Sequence, residues 1–209
     1  MTTITDPRSA PCVPRWLKLG WTLWVVVWIP IYWSAYGPAN FLWFCDMGNV
    51  ILALALWRGS SLLFSWQAVS LLLVQSLWTL DYALTLLTGK HFIGGTEYMF
   101  DGSISLGIRM LSLFHAATPL LLVWGLWRFG YDRRGWLLQV LTAWVILPLS
   151  FLAGPERDLN WVWGYYDRPQ ALVSPSLYLI ACMTLYPLAW YLPGHLLLSR
   201  WQAHRSSEA

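Results

Sequence analysis

Charge is what this chain has least of. Only 11% of its 209 residues are Asp, Glu, Lys or Arg, less than half of the roughly one quarter typical of water-soluble domains, so too few ions are present to coat a surface facing water. A soluble globule is excluded. Cysteine is sparse as well: Cys12, Cys45 and Cys182 are an odd number without paired spacing, which supports neither a disulfide framework nor a zinc site. No phosphate-cradling glycine loop occurs, and Gly94-Gly95 reads as a simple turn. His91, Glu97 and Asp101 match no regular ligand spacing, so no metal and no other cofactor is expected. The net charge is only +3, and nucleic acid is not implied as a partner.

Apolar and aromatic surface is what the chain has in excess. Hydrophobic residues make up 57% of it and the mean hydropathy is +0.50, which points to lipid as the solvent. The 17 Trp suit the membrane interface, because indole pairs an apolar body with one N–H that prefers to stay wet. Apolar stretches of about 18 residues or more predict six helices, over 16–36, 40–57, 61–87, 103–127, 136–153 and 171–198. The expected fold class is therefore all-α, a polytopic transmembrane bundle of about six spans, with segments 1–15 and 199–209 outside it. The first apolar run is too long for a signal peptide and reads as a retained helix.

The cationic residues are unevenly shared between the connections. Arg8, Arg15, Lys18, Arg58, Arg128, Arg133, Arg134, Arg200 and Arg205 fall on one side, against Lys90, Arg157 and Arg168 on the other. The positive-inside rule then makes both termini cytoplasmic, in an inner (plasma) membrane. Two longer outer segments, 88–102 and 154–170, are rich in Gly, Asp, Tyr and Trp. They are expected either to lid a site or to serve as interfacial loops with aromatic anchors.

Ionisable and polar groups inside spans are costly and so tend to face the bundle interior, where they find a partner or serve a function. They are Cys45, Asp46, Asn49, Asp81, Arg109, His115 and Cys182. Counting the helical rise from the outer ends places them all about 9 to 18 Å deep, which suggests one polar pocket. Asp81 and Arg109 fall on adjacent antiparallel spans at nearly equal depth. That invites a structural ion pair, or a phosphate-binding Arg109 that Asp81 holds in place. His115 either hydrogen-bonds a neighbour or acts as general base to a thiol, which becomes a nucleophile only once its proton is removed. By depth Cys182 matches it better than Cys45. Pro30, Pro119, Pro148, Pro175 and Pro187 lie within the spans, and each removes a helix hydrogen bond. Pro119 should free the carbonyl of His115 itself.

The order of short motifs carries a resemblance. WFCDMGNVILALAL (43–56), WTLDYAL (78–84), FHAATPLLLVWGLW (114–127) and NWVWGYYDRP (160–169) together resemble the YwaF-like family of small integral membrane proteins. That family includes an animal membrane acyltransferase that remodels ether phospholipids. The resemblance implies a polytopic helical fold and, for the acyltransferase branch, an embedded Cys and His that move an acyl chain between lipids. On this chain those residues are Cys45 and His115, with Asn160, Trp161 and Trp163 on the family's Asn-aromatic segment.

The resulting expectation is a lipid-handling membrane protein and, on the resemblance, a Cys/His acyltransferase. Cys45 and His115 would be catalytic, and Asp46, Asn49, Asp81, Arg109, Asn160 and Trp161 would contact substrate. The alternatives are a carrier or channel lined by the same polar groups and a structural partner in a membrane complex. Expected partners are membrane lipids and a second copy of the chain or another membrane protein.

Overall fold

The computed structural model describes residues 12–165 and 169–208, with the side chain of Glu208 excepted. Arg8 and Arg168, counted in the charge pattern, lie outside the described residues. Among the described residues eight α-helices follow one another: α1 (Arg15–Tyr36), α2 (Phe44–Arg58), α3 (Ser61–Thr88), α4 (Leu106–Leu111), α5 (Phe114–Phe129), α6 (Arg134–Leu152), α7 (Pro175–Leu185) and α8 (Leu192–Glu208). Four stretches among the described residues are long and apolar enough to cross a membrane: Ser61–Thr88, Leu106–Phe129, Arg134–Leu152 and Pro175–Ser207.

The two remaining expected spans differ from the expectation. Helix α1 has 22 residues, enough for about 33 Å of rise, but its Trp, Tyr and Lys side chains dilute its apolar character and it is not among those four. The stretch expected as one span over 40–57 breaks at Trp43. Pro38–Leu42 is a short 3-10 helix, and α2 proper has 15 residues, about 22 Å, less than the roughly 30 Å of a hydrocarbon core. The fourth expected span is one apolar stretch made of two helices, with i→i+3 bonds from His115 to Ser112 and from Ala116 to Leu113 at the joint. Pro175 is the first residue of α7 rather than an interior one, a position where its missing N–H costs nothing. Pro187 sits in a π-helical turn over Tyr186–Tyr191 that links α7 to α8. The segment expected as a tail from residue 199 continues α8, where Gln202 Oε1 accepts from the Tyr131 N–H at 2.9 Å.

Helix α3 is the centre of the bundle. Its N-cap Ser60 accepts from the Leu63 N–H and Gly89 ends it in a left-handed turn. Glycines on three neighbours face it: Gly48 of α2 lies on Leu71, Gly125 of α5 on the Phe64 ring, and Gly135 of α6 on the α3 backbone. Small residues let helices approach closely where lipid offers no hydrophobic drive to associate. Phe64, Ala68 and Leu71 thereby join Leu52, Leu56, Leu122 and Leu147 in the main core.

Candidate functional site

The polar residues divide into fasteners that hold the outer segments down and a smaller convergent cluster. Asp81 belongs to the first group. Its Oδ1 accepts from the backbone N–H of Phe92 and Ile93 at 2.9 and 2.7 Å, and its Oδ2 from the Thr96 hydroxyl at 2.5 Å. His91 Nδ1 lies 3.8 Å from the same Oδ2, and Trp78 Nε1 donates to Gly95 O at 3.1 Å. The outer segment therefore folds back alongside α3 to reach a fully buried carboxylate. The expected Asp81–Arg109 ion pair does not form, because these three donors satisfy Asp81. Arg109 instead donates from Nη1 to Met99 O at 2.9 Å.

Asn160 is a second fastener. Its φ is +54°, a left-handed conformation that Asn tolerates better than most residues. Its Oδ1 accepts from Phe44 N–H at 3.1 Å, and its Nδ2 donates to Leu42 O and Ser150 Oγ, both at 2.9 Å. It thus satisfies an orphan donor at the start of α2 and ties it to α6. Trp161 packs edge-on against Trp43 at 6.2 Å, and Trp163 stacks on Phe151 at 4.1 Å. These contacts fix the segment; neither Asn160 nor Trp161 is placed among the convergent polar groups.

The convergent cluster lies where α1, α2, α4 and the turn Glu97–Met99 meet. Tyr32 Oη and Ser112 Oγ are 2.6 Å apart, and the Tyr98 phenol lies beside them. Burial pushes the Tyr98 phenol well above its ordinary value, and the nearby Cys45 and Asp46 add to that rise. Tyr98 therefore stays a neutral donor. Asp46 is buried at 2% exposure. Its Oδ2 accepts from Asn40 Nδ2 at 2.5 Å, and its Oδ1 faces the Cys45 thiol at 3.9 Å. Sequence reasoning missed Tyr32, Asn40, Tyr98 and Ser112, since hydroxyl and amide residues in apolar runs carry no period that marks them.

His115 borders this cluster and is joined to it only through the Ser112 backbone carbonyl. It stacks on Phe114 at 4.1 Å and on Trp78 at 4.6 Å, while Cys45 packs against the cluster of Trp28, Tyr32 and Phe114. The His115 Nδ1 lies 2.7 Å from Ser112 O; a carbonyl only accepts, so Nδ1 carries the proton and Nε2 keeps the lone pair. The expected thiol–imidazole hydrogen bond is not made, since the thiol bonds Asp46 instead. Pro119 does free the His115 carbonyl, as expected; Thr79 Oγ1 of α3 lies 3.3 Å from it, while its hydroxyl makes the shorter bond to Gln75 O at 2.7 Å. Cys182 is buried in the main core beside Tyr178, apart from the polar cluster.

A cleft of about 430 Å³ opens on the outer flank of the molecule beside the cluster, lined by Pro30, Ile31, Ser34, Ala35 and Ile108. Ile108 packs against the same Trp28–Tyr32–Phe114 group. Compared with protein-family models, curated proteins and solved structures, the chain matches none.

A further set of polar side chains lies deeper. Asn49, Gln67, Gln75 and Thr118 are each 1% exposed and Gln139 is 0% exposed, and none of their side-chain N or O atoms bonds another group of the protein. Burying such a group unpaired costs about 2–7 kcal/mol.

Proposed function

We propose that this chain is a multi-pass membrane protein with both termini on the cytoplasmic side that binds an amphiphile at its outer rim. The headgroup meets the cluster of Tyr32, Tyr98, Ser112 and Asp46, and an acyl chain lies in the cleft of α1 and α4. The observation that carries this reading is the adjacency of buried hydrogen-bonding groups to an open apolar cleft, the two surfaces that a lipid requires. In this reading α1 and α2 complete the crossing begun by the four apolar stretches, with α2 as a shortened span beneath the fastened outer segments.

We further propose, from the resemblance of the short motifs to the YwaF-like family, a reaction as well as binding. Asp46 takes the role of base that the likeness implies for His115, because Asp46 is the group bonded to the thiol. The carboxylate accepts the Cys45 proton and the sulfur attacks an ester carbonyl of a phospholipid. The ester C–O bond then breaks, and the departing lysolipid oxygen takes the proton from Asp46. A second lysolipid gives its hydroxyl proton to Asp46 and its oxygen attacks the thioester carbonyl; the C–S bond breaks, and the departing sulfur takes the proton back from Asp46. The unmade thiol–imidazole bond favours a second reading, amphiphile binding without turnover.

Purified protein in defined lipids distinguishes them. Native mass spectrometry is expected to find a bound phospholipid that Ser34→Trp, which fills the cleft, displaces. Acyl exchange between labelled lipids is expected to vanish in Cys45→Ala. Full exchange by that variant overturns the reaction, and absence of bound lipid from the wild type overturns the binding site.

A further inference from the structure

The turn Glu97–Met99 carries the hydroxyl of Tyr98 into the convergent cluster, and one residue earlier it carries a carboxylate. Glu97 lies against the Gly94–Gly95 turn: a Cβ added at Gly94 would stand 3.5 Å from Glu97 Oε1 and 3.9 Å from Tyr165 Oη, and one added at Gly95 would stand 3.9 Å from the Trp161 ring. Both glycines have positive φ, +94° and +85°, which few other residues adopt, so the chain presents bare backbone between the acid and the rings. Tyr165 Oη donates to Ile93 O at 3.0 Å. The Trp161 ring centre is 5.1 Å from that of Tyr165 and 6.2 Å from that of Trp43. Three aromatic rings and one carboxylate are thus fastened around a single turn.

Trp161 is held there against its backbone preference. Its φ is +56°, and Asp158 and Asn160 are also positive at +34° and +54°. A bulky residue in the left-handed region is an outlier that survives only where its surroundings over-determine it, and such residues gather at ligand clamps. The restraints are on the page: Asp158 Oδ1 accepts from Trp163 N–H at 2.8 Å, and Asn160 O accepts from Tyr186 Oη at 2.8 Å, beside the three bonds of the Asn160 amide.

We propose that Glu97, Trp161 and Tyr165 bind a cationic alkylammonium headgroup, an inference that rests on the amphiphile reading of the neighbouring cluster. The chemistry selects the charge. Among the described residues no Lys, Arg or His forms an ion pair with Glu97, so its charge is open to a ligand and repels an anionic headgroup. Ring faces attract an alkylammonium through their quadrupole. Tyr165 is 52% exposed, which leaves the group within reach of the outer surface. Quaternary and primary ammonium headgroups share this chemistry.

Competition distinguishes the headgroups. Wild-type protein in a non-ionic detergent is offered an equimolar mixture of phosphatidylcholine, phosphatidylethanolamine and phosphatidylglycerol with identical acyl chains, and native mass spectrometry reads which lipids stay bound. One or both of the ammonium lipids are expected to exceed phosphatidylglycerol several-fold, and the larger of the two names the source. Glu97→Gln and Tyr165→Leu are each expected to bring the ratio close to one, whereas Tyr165→Phe, which keeps the ring, retains it. If the rings were plain interfacial anchors, all three lipids would bind alike. That outcome in the wild type, or an undiminished preference in both Glu97→Gln and Tyr165→Leu, overturns the headgroup assignment and leaves amphiphile binding standing. Absence of any bound lipid overturns both.

Discussion

Asp81 and Arg109 show how a charge-pairing argument can choose the right residues and the wrong partners. Both stand at similar depth on neighbouring elements, but a carboxylate two turns from the end of a helix is within reach of the loop that follows it. Backbone N–H groups at 92 and 93, which need acceptors in any case, arrive first. Asp81→Ala should cost about 1–3 kcal/mol for each donor left unpaired and speed amide exchange at Phe92 and Ile93. Arg109→Ala should leave those two amides protected. Had the two side chains formed a buried pair, Arg109→Ala would be as damaging, because it would strand a buried carboxylate. Charge pairing near the aqueous rim is different: Arg134 binds Asp132 through Nη2 at 2.7 Å and holds that carboxyl below its ordinary value. His115 makes the same point about partners. Its one side-chain hydrogen bond lies three residues back along its own chain, and its ring faces aromatics rather than a thiol.

At the scale of elements, hydropathy located helices well and misjudged where they end. It merged Pro38–Leu42 with α2 because both are apolar, although the break at Trp43 follows from local backbone geometry and from Asn160 occupying the α2 start. It also treated 103–127 as a single helix, whereas the joint at Ser112 turns that residue toward Tyr32. What holds the elements together is their closeness to α3. A Cβ at Gly135 would stand 2.7 Å from the Ser65 carbonyl carbon and the Trp66 nitrogen, whereas one at Gly20 would meet nothing within 4 Å. Gly135→Ala is therefore expected to destabilise by about 1–3 kcal/mol. Gly20→Ala is expected to stabilise by about 0.5–1 kcal/mol through lower backbone entropy in the unfolded chain. Thermal unfolding in one detergent compares them. A Gly135→Ala protein as stable as wild type would mean that α6 can move off α3 freely.

For the whole molecule, the apolar exterior is the main physical fact. Leu120 is 74% exposed and Leu152 79%, while Leu122, two residues from Leu120 along α5, is 0% exposed. Such a surface is stable only against lipid or detergent tails. Nitroxides placed at 120 and 152 should be accessible to oxygen and shielded from water-soluble nickel chelates in bilayers; accessibility to nickel at position 120 would contradict a membrane-crossing α5. Scarce charge and long apolar runs decided the helical class and the lipid solvent without reference to tertiary contacts, since backbone polar groups in hydrocarbon must be satisfied within a helix or a closed barrel. The same runs could not say which polar side chains meet, because hydrogen bonds are directional and short while hydropathy is an average over a turn or more. Packing around α3, the break at Trp43 and the return of the 88–102 segment onto Asp81 decided which polar side chains meet: Tyr32 with Ser112, Asn40 with Asp46, and Asp81 with the amides of Phe92 and Ile93.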